Sequence, residues 1–361
     1  MPIRKASRKY NSDYMSRICD EQLEQLEDRL TALYANASNE VLSEYTDWIA
    51  KYQKQDIEMR RQVEAAIITE DDYIAWREKT MLQNELYKQT VKSLTDILVN
   101  TDIVAMALVN DELPLIIAES YNFFQSLGWA AADEAGLSVG TFQIYNAESV
   151  QAIIKKNPDL LPVVDIPKDK QWNKDRINRE ITQSIIHGDS IPEIADRLQA
   201  VTNMDENAAI RNARTAMTGA ENLGRNESFK SLKKKGIPAK FQWSATHDDR
   251  TRDTHILLDG TYQNDDGYFG EGILVTLIEY PGDPAGDPEE VYNCRCRASL
   301  RLNGIDHSQD GDLYQKFMKE NYPDDWNAIK DEREAKEQAY QEKKQGAEER
   351  VSQARERKKE G

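Results

Sequence analysis

The chain has 361 residues, of which 31% are charged and 39% apolar, and a formal net charge of -17. That length accommodates two or three domains, and the acidic balance excludes a protein whose whole surface grips nucleic acid, because phosphate binding needs a basic face. Three cysteines exclude a secreted disulfide framework.

Residues 1–15 carry Arg4, Lys5, Arg8 and Lys9 with little apolar content. They read as a basic arm, either frayed or docked on an acidic partner. The arm has no apolar core of the kind a secretory signal needs, and no later run reaches the roughly 18 apolar residues that cross a bilayer. The expectation is a soluble protein made in the cytoplasm.

Residues 16–136 read as a helical region. Leu23, Leu26, Leu30 and Leu33 recur at spacings of three and four, and Val41, Leu42, Tyr45, Trp48, Ile49 and Tyr52 continue the stripe to about Tyr52. This predicts two helices or one bent one, with Asn36–Asn39 as the break. A further helix is predicted from Glu70 to Val99, and a separate apolar block from Ile103 to Ala135. These stripes predict helix–helix packing rather than a ligand box.

Residues 137–173 form a mixed connector in which Thr141–Tyr145 alternates like a short strand. Trp172–His187 reads as a helix stopped by Gly188. Ser190 and Pro192 then open a short helix to about Ala200. Asp205–Lys235 is one more helix or a close pair, ended by Gly236-Ile237-Pro238. Lys233, Lys234 and Lys235 suit the negative end of that helix. The alternative is DNA contact through these three with Lys230 and Lys240. After residue 302, a connector to 326 holds one predicted helix, Leu313–Tyr322. Residues 327–361 read as a charged tail, helical or disordered.

Between Phe241 and Leu300 the residue types change. Phe241–Trp243 alternates as a buried strand, Asp259-Gly260 signals a tight turn, and Ile273–Val275 is a candidate strand. Pro281, Pro284 and Pro288 stiffen a loop, and Val291–Leu300 returns as a strand. The fold class expected is α+β and predominantly helical. A small helix-plus-antiparallel-strand domain at 174–302 follows the helical region, and the charged tail follows that domain.

His255, Cys294 and Cys296 are acceptable zinc ligands, with His247 or Asp248 as a fourth. Against zinc, strand alternation would send Cys294 and Cys296 to opposite faces, so a turn or bulge at Arg295 is required. A Cys–His nucleophile is a second reading, though nothing nearby marks an oxyanion hole. A disulfide between Cys294 and Cys296 fits poorly with synthesis in the cytoplasm. The structural reading is a network of Arg252, Arg295, Asp249 and Asp259, since the guanidinium fork bonds carboxylates and carbonyls bidentately. The cofactor expectation is therefore none or zinc.

Four pieces occur in order: ART-x-x-x-G-A-x-N-x-G-R, W-S-A-T-H-D-D-R-T-R-D-T-H-x-x-L-D-G, Y-P-G-D-P and E-E-V-Y-N-C-R-C. Their carriers are Arg214, Thr215, Asn222, Gly224, Arg225, Trp243, Asp249, Arg252, His255, Asp259, Gly260, Pro281, Asn293, Cys294, Arg295 and Cys296. Over roughly Lys174–Leu302 this set resembles the phage Mu F-like head-morphogenesis family of minor head proteins. The resemblance implies a virion protein of a tailed-phage head. It implies binding to the portal, or to the major capsid or scaffolding protein, during procapsid assembly, and a role near phage DNA in packaging or ejection. No membrane is involved in the assembled head, and no agreed reaction is implied. Many members carry Cys-x-x-Cys where this chain has Arg252-Asp253-Thr254-His255, which with Cys-x-Cys looks like four zinc ligands. Here Arg252 replaces one of them, leaving His247 to stand in. The alternative function is an enzyme, a transferase or hydrolase carried in the head and injected with DNA. In that case His255 is the acid–base group in a pocket with Arg252 and Asp249.

Overall fold

The structure is a computed structural model. It describes residues 14–83, 85–138, 140–156, 170–187, 189, 191–246, 248, 250–302 and 310–331, with positions 334, 335 and 338. The basic arm up to residue 13, His247, Asp249, Ser190 and nearly all of the charged tail lie outside the described residues. The chain forms two compact units: one from Leu26–Asn110 and Val164–Ala213, the other from Met1–Gln25, Asp111–Val163 and Arg214–Gly361. Residues 174–213 of the stretch read as one domain thus belong to the first unit, and 214–302 to the second.

Helix α1 spans Tyr14–Ala50 without a break. The interruption expected at Asn36–Asn39 is absent because Asn36 and Asn39 lie on the exposed face. Ala37 and Ser38 continue the buried stripe between Tyr34 and Val41. Helix α2 covers Gln53–Glu64. Helix α3, Glu70–Arg77, starts at a capping box between Thr69 and Asp72.

The single helix expected from Glu70 to Val99 is instead α3, a π-helical turn at Glu78–Leu82 and the start of α4, Glu85–Glu134. Nor is Ile103–Ala135 a separate block, because α4 runs through it. The polar residues that suggested a boundary are satisfied in place. Thr101 returns its hydroxyl to the Ile97 carbonyl at 2.8 Å. The buried Asp102 accepts from Tyr34 Oη at 2.5 Å and Asn173 Nδ2 at 3.3 Å. With α6, Lys170–His187, these helices bury Tyr45, Trp48, Tyr87, Leu94, Ile181 and Ile185 in one core.

Thr141–Tyr145 is not a strand. The buried Asn122 takes the place of a neighbouring strand: its Nδ2 donates to the Tyr145 carbonyl at 2.7 Å and its Oδ1 accepts the Tyr145 N–H at 2.8 Å. Helix α5, Ala147–Lys156, follows. Helix α7 is continuous over Ile191–Lys234, so the end expected near Ala200 is also absent. Val201, Thr202 and Asp205 are buried there, and packing overrides the polar run.

Strands β1, Ala239–Ser244, and β2, Arg297–Leu302, pair antiparallel, with Phe241 opposite Leu300 and Trp243 opposite Ala298. Between them lie the short helices α8, Asp253–Leu258, and α9, Pro288–Val291. Ile273–Val275 is a turn rather than a strand, and Val275 is 96% exposed. Helix α10, Asp310–Asn321, packs Tyr314 and Phe317 into an aromatic core with Phe123 and Trp129. Phe229 stacks on Phe241 at 5.0 Å. Among the described residues no helix is long and apolar enough to cross a membrane.

Candidate metal centre

Strand β2 begins only at Arg297. The strand expected over Val291–Leu300 is replaced at its front by the end of α9 and an irregular segment, Tyr292–Cys296. Asn293 takes a left-handed backbone, φ 57°, the conformation Asn tolerates best after Gly. Pleat alternation therefore does not apply to the two cysteines, and the objection it raised to zinc is overturned. Both thiols turn inward onto His255 of α8. His255 Nδ1 lies 3.4 Å from Cys296 Sγ and 3.7 Å from Cys294 Sγ. The three donor atoms lie within 4.8 Å of one another, and all three residues are buried.

These distances match a metal tetrahedron. Zn–S of about 2.3 Å and Zn–N of about 2.0–2.1 Å set N···S edges at about 3.5–3.6 Å. The surroundings have the same character. His255 Nε2 lies 3.0 Å from Glu290 Oε2, and that carboxylate also accepts from Thr254 Oγ1 at 2.8 Å. The contact lacks hydrogen-bond geometry, but the carboxylate's negative charge beside Nε2 favours the tautomer protonated there, whose Nδ1 lone pair faces the sulfurs. The Cys296 backbone N–H donates to Cys294 Sγ at 3.4 Å. Trp243 meets His255 edge-on at 5.1 Å.

A hydrogen bond from Cys296, with His255 alongside, pulls the Cys294 thiol well below the ordinary thiol range despite burial. The same bond and burial push Cys296 well above it. Two sulfurs and a ring nitrogen, all buried and within 4.8 Å of one another, are a donor set that fits zinc.

Helix α7 positions the cysteine segment. Thr215 Oγ1 accepts the Asn293 N–H at 2.7 Å. Asn222 Nδ2 donates to the Cys296 carbonyl at 3.0 Å, and its Oδ1 accepts the Ala298 N–H at 2.8 Å. Arg225, fully buried, donates to the Ala298 carbonyl at 3.0 Å and pairs with Glu221 at 2.6 Å. Glu221 also pairs with Arg297 at 3.0 Å, and Arg297 with Asp20 of α1 at 2.5 Å. Two glycines permit close approach. A Cβ on Gly224 would stand 2.4 Å from the Ile117 carbonyl oxygen. A Cβ on Gly282, at φ 81°, would stand 3.2 Å from Gly219 Cα.

Arg295 pairs bidentately with Asp248, whose carboxyl is held well below the usual range by that guanidinium. Asp248 was a candidate ligand; its oxygens are on Arg295, on the Arg250 N–H and on Thr251. Arg252 donates to the Tyr292 carbonyl. Asp259 Oδ1 accepts the Ala245 N–H at 2.8 Å, and Gly260, φ 76°, closes the turn onto the Trp243 carbonyl. Arg214 is half-buried on α7. His247 and Asp249 lie outside the described residues.

The sequence reading missed Glu221 and Glu290. Glu221 had a signal, its i,i+4 spacing to Arg225. Glu290 stands in the E-E-V-Y-N-C-R-C piece, but nothing in that piece links it to a histidine 35 residues away. Of the five lysines proposed for DNA, Lys233 and Lys234 are exposed, while the other three have internal partners. Lys230 pairs with Glu227 at 3.0 Å and Glu279 at 2.7 Å. Lys235 donates to the Thr141 carbonyl at 2.6 Å, and Lys240 lies over Tyr262.

Residues 175–299 match the family model described as Phage Mu protein F like protein. That stretch is similar to the phage Mu F-like family. Two relatives extend the comparison. A protein of Enterococcus faecalis (strain ATCC 700802 / V583), named NAD(+)--arginine ADP-ribosyltransferase EFV, is 30% identical over 162 residues, covering 43% of this chain and 32% of its own. Minor head protein GP7 of Bacillus phage SPP1 is 28% identical over 167 residues, 45% of this chain and 52% of its own. The chain therefore spans about a third and about half of these relatives' lengths. No solved structure matches it.

Proposed function

We propose that this chain is a minor head protein of a tailed phage, sited in the virion head. There its Mu F-like domain binds the portal or the inner capsid, through the major capsid or scaffolding protein, during procapsid assembly, close to the DNA that is packaged and ejected. The observation that carries this reading is the use of the motif residues. Thr215, Asn222, Arg225, Asp259 and Arg295 hold loops to α7 and the two-stranded sheet. His255 is buried and faces Cys294, Cys296 and Glu290 rather than an open cleft. That is the chemistry of a rigid interaction module. The family match and the relative named a minor head protein support it. Co-purification with portal and major capsid protein, with and without residues 174–302, tests it. Heads of unchanged composition after deletion of the whole chain would overturn it.

The same domain binds one zinc ion through His255 Nδ1, Cys294 Sγ and Cys296 Sγ. The ion locks the Tyr292–Cys296 segment against α8, where no sheet hydrogen bonds hold it. Metal content of the purified chain, compared with Cys294→Ser, tests this part. One zinc per wild-type chain and none in the variant is expected.

A further inference from the structure

Residues 253–294 hold ten aspartates and glutamates and no lysine or arginine. Seven of the thirteen exposed large apolar side chains among the described residues also fall there. Four of the acids, Asp253, Asp265, Asp266 and Glu289, are exposed. So are Ile256 and Leu257 of α8, Tyr268, Val275 and Leu277 of the loop beyond it, and Tyr292. These apolar groups stand on chain that is held in place. The Phe269 N–H donates to the Ile278 carbonyl and the Leu274 N–H to the Gly270 carbonyl, each at 2.8 Å. Thr276, between Val275 and Leu277, donates to Asp287 at the start of α9 at 3.1 Å, and Glu290 of α9 accepts from Thr254 of α8 at 2.8 Å. One chain of contacts thus joins the loop to both short helices. Lys230 and Lys240 reach this stretch at Glu279 and Tyr262, away from the four exposed acids.

We infer that the surface of residues 253–294 receives this chain's partner in the head, and that the partner presents a basic segment with apolar side chains between its Lys and Arg residues. This inference rests on the minor-head reading above and names the surface and the partner's chemistry. Exposed apolar side chains gathered on one stretch mark an interaction site. The acids around them select the sign of the partner and speed its approach. The hydrogen-bonded loop and helices hold the apolar anchors ready, so little ordering opposes docking. The same acids repel phosphate, so the occupant is protein rather than nucleic acid.

The full chain is titrated with purified portal protein and, separately, with purified major capsid protein, at low and raised salt. Three variants go beside it. Asp265→Lys with Asp266→Lys reverses exposed charge on the surface, and Leu257→Ser with Val275→Ser removes apolar anchors. Glu44→Lys with Asp47→Lys makes the same change of net charge on the exposed side of α1, in the other unit. Should the apolar pair lower the thermal midpoint, Val275→Ser alone, at a side chain 96% exposed, replaces it. Binding to one of the two proteins is expected to weaken with salt, to fall about tenfold or more in the first two variants, and to stay within about twofold in the α1 variant. Affinity unchanged in the first two variants, or raised by Asp265→Lys with Asp266→Lys, overturns the inference. An equal loss in the α1 variant also overturns it, by showing that net charge alone is read. A wild-type chain that binds neither protein is a different result: it sinks the minor-head reading itself.

Discussion

The side-chain amide of Asn222 binds the Cys296 segment as a neighbouring strand would, donating to the Cys296 carbonyl at 3.0 Å and accepting the Ala298 N–H at 2.8 Å. Both backbone groups belong to buried residues, so removing the amide orphans a donor and an acceptor together. Each unsatisfied buried group costs about 1–3 kcal/mol. Asn222→Ala is expected to destabilise the domain by about 2–4 kcal/mol in urea unfolding. It should also weaken zinc binding, because the segment that carries Cys294 and Cys296 loses its anchor.

Gly224 faces α4 where a methyl group would stand 2.4 Å from the Ile117 carbonyl oxygen and 2.9 Å from Ser120 Cβ. Helix propensity alone would make Gly→Ala favourable by about 1 kcal/mol. Overpacking against backbone reverses the sign, at about 1–3 kcal/mol or more. Gly224→Ala is expected to lower the thermal midpoint through this clash, whereas Gly136→Ala, with nothing within 4 Å but a left-handed backbone at φ 66°, costs only backbone strain of about 1–2 kcal/mol.

The helices were legible because their buried positions recur at three and four residues, as Leu23, Leu26 and Leu30 do. Their ends were not. Asn36, Thr101 and the run near Thr202 look like breakers, yet each is exposed or satisfied within a continuous helix. Two expected strands failed for one reason, that a strand needs a partner. Asn122 occupies the backbone of Tyr145, and Val275 projects into solvent. The site was legible in its donors, His255, Cys294 and Cys296, but not in its geometry. A single left-handed residue, Asn293, turns an apparent strand into a loop that brings both cysteines onto His255, and nothing in local spacing signals that turn.

Glu221 and Arg225 pair at 2.6 Å with side chains 1% and 0% exposed. Removing one partner leaves a buried charge, which costs about 3–5 kcal/mol. Glu221→Gln is expected near the lower end of that range because Arg297 retains Asp20, whereas Arg225→Met strands the Ala298 carbonyl as well. A double-mutant cycle read by denaturant unfolding separates the pair from its neighbours: coupling above about 1 kcal/mol is expected for groups in one network.

Asp248 is 27% exposed and is held in its charged form by Arg295, Thr251 and the Arg250 N–H. Its folded pKa lies below its unfolded one, near 3.9. The contribution is therefore complete above about pH 4 and declines as pH falls through the acid range. Asp248→Asn should cost about 1–2 kcal/mol at neutral pH. The gap between variant and wild type should narrow between about pH 4 and pH 2; a gap that stays constant with pH would show the carboxylate charge to be irrelevant.

Glu290 lies 3.0 Å from His255 Nε2 and accepts from Thr254 at 2.8 Å. It touches no proposed metal ligand atom; its effect is on which ring nitrogen carries the proton. With Nε2 protonated toward the carboxylate, Nδ1 is free to face Cys294 and Cys296. A glutamine there is neutral, which weakens that preference, while the half-buried side chain keeps its volume. Losing such a partner typically costs about 10–100-fold in metal affinity. Glu290→Gln is expected to weaken zinc within that range by competitive chelator titration, with the thermal midpoint of the metal-free chain moved by less than about 2 °C. A loss of metal-free stability with unchanged zinc affinity would make Glu290 a prop for α8 and α9 rather than a positioning residue for the metal.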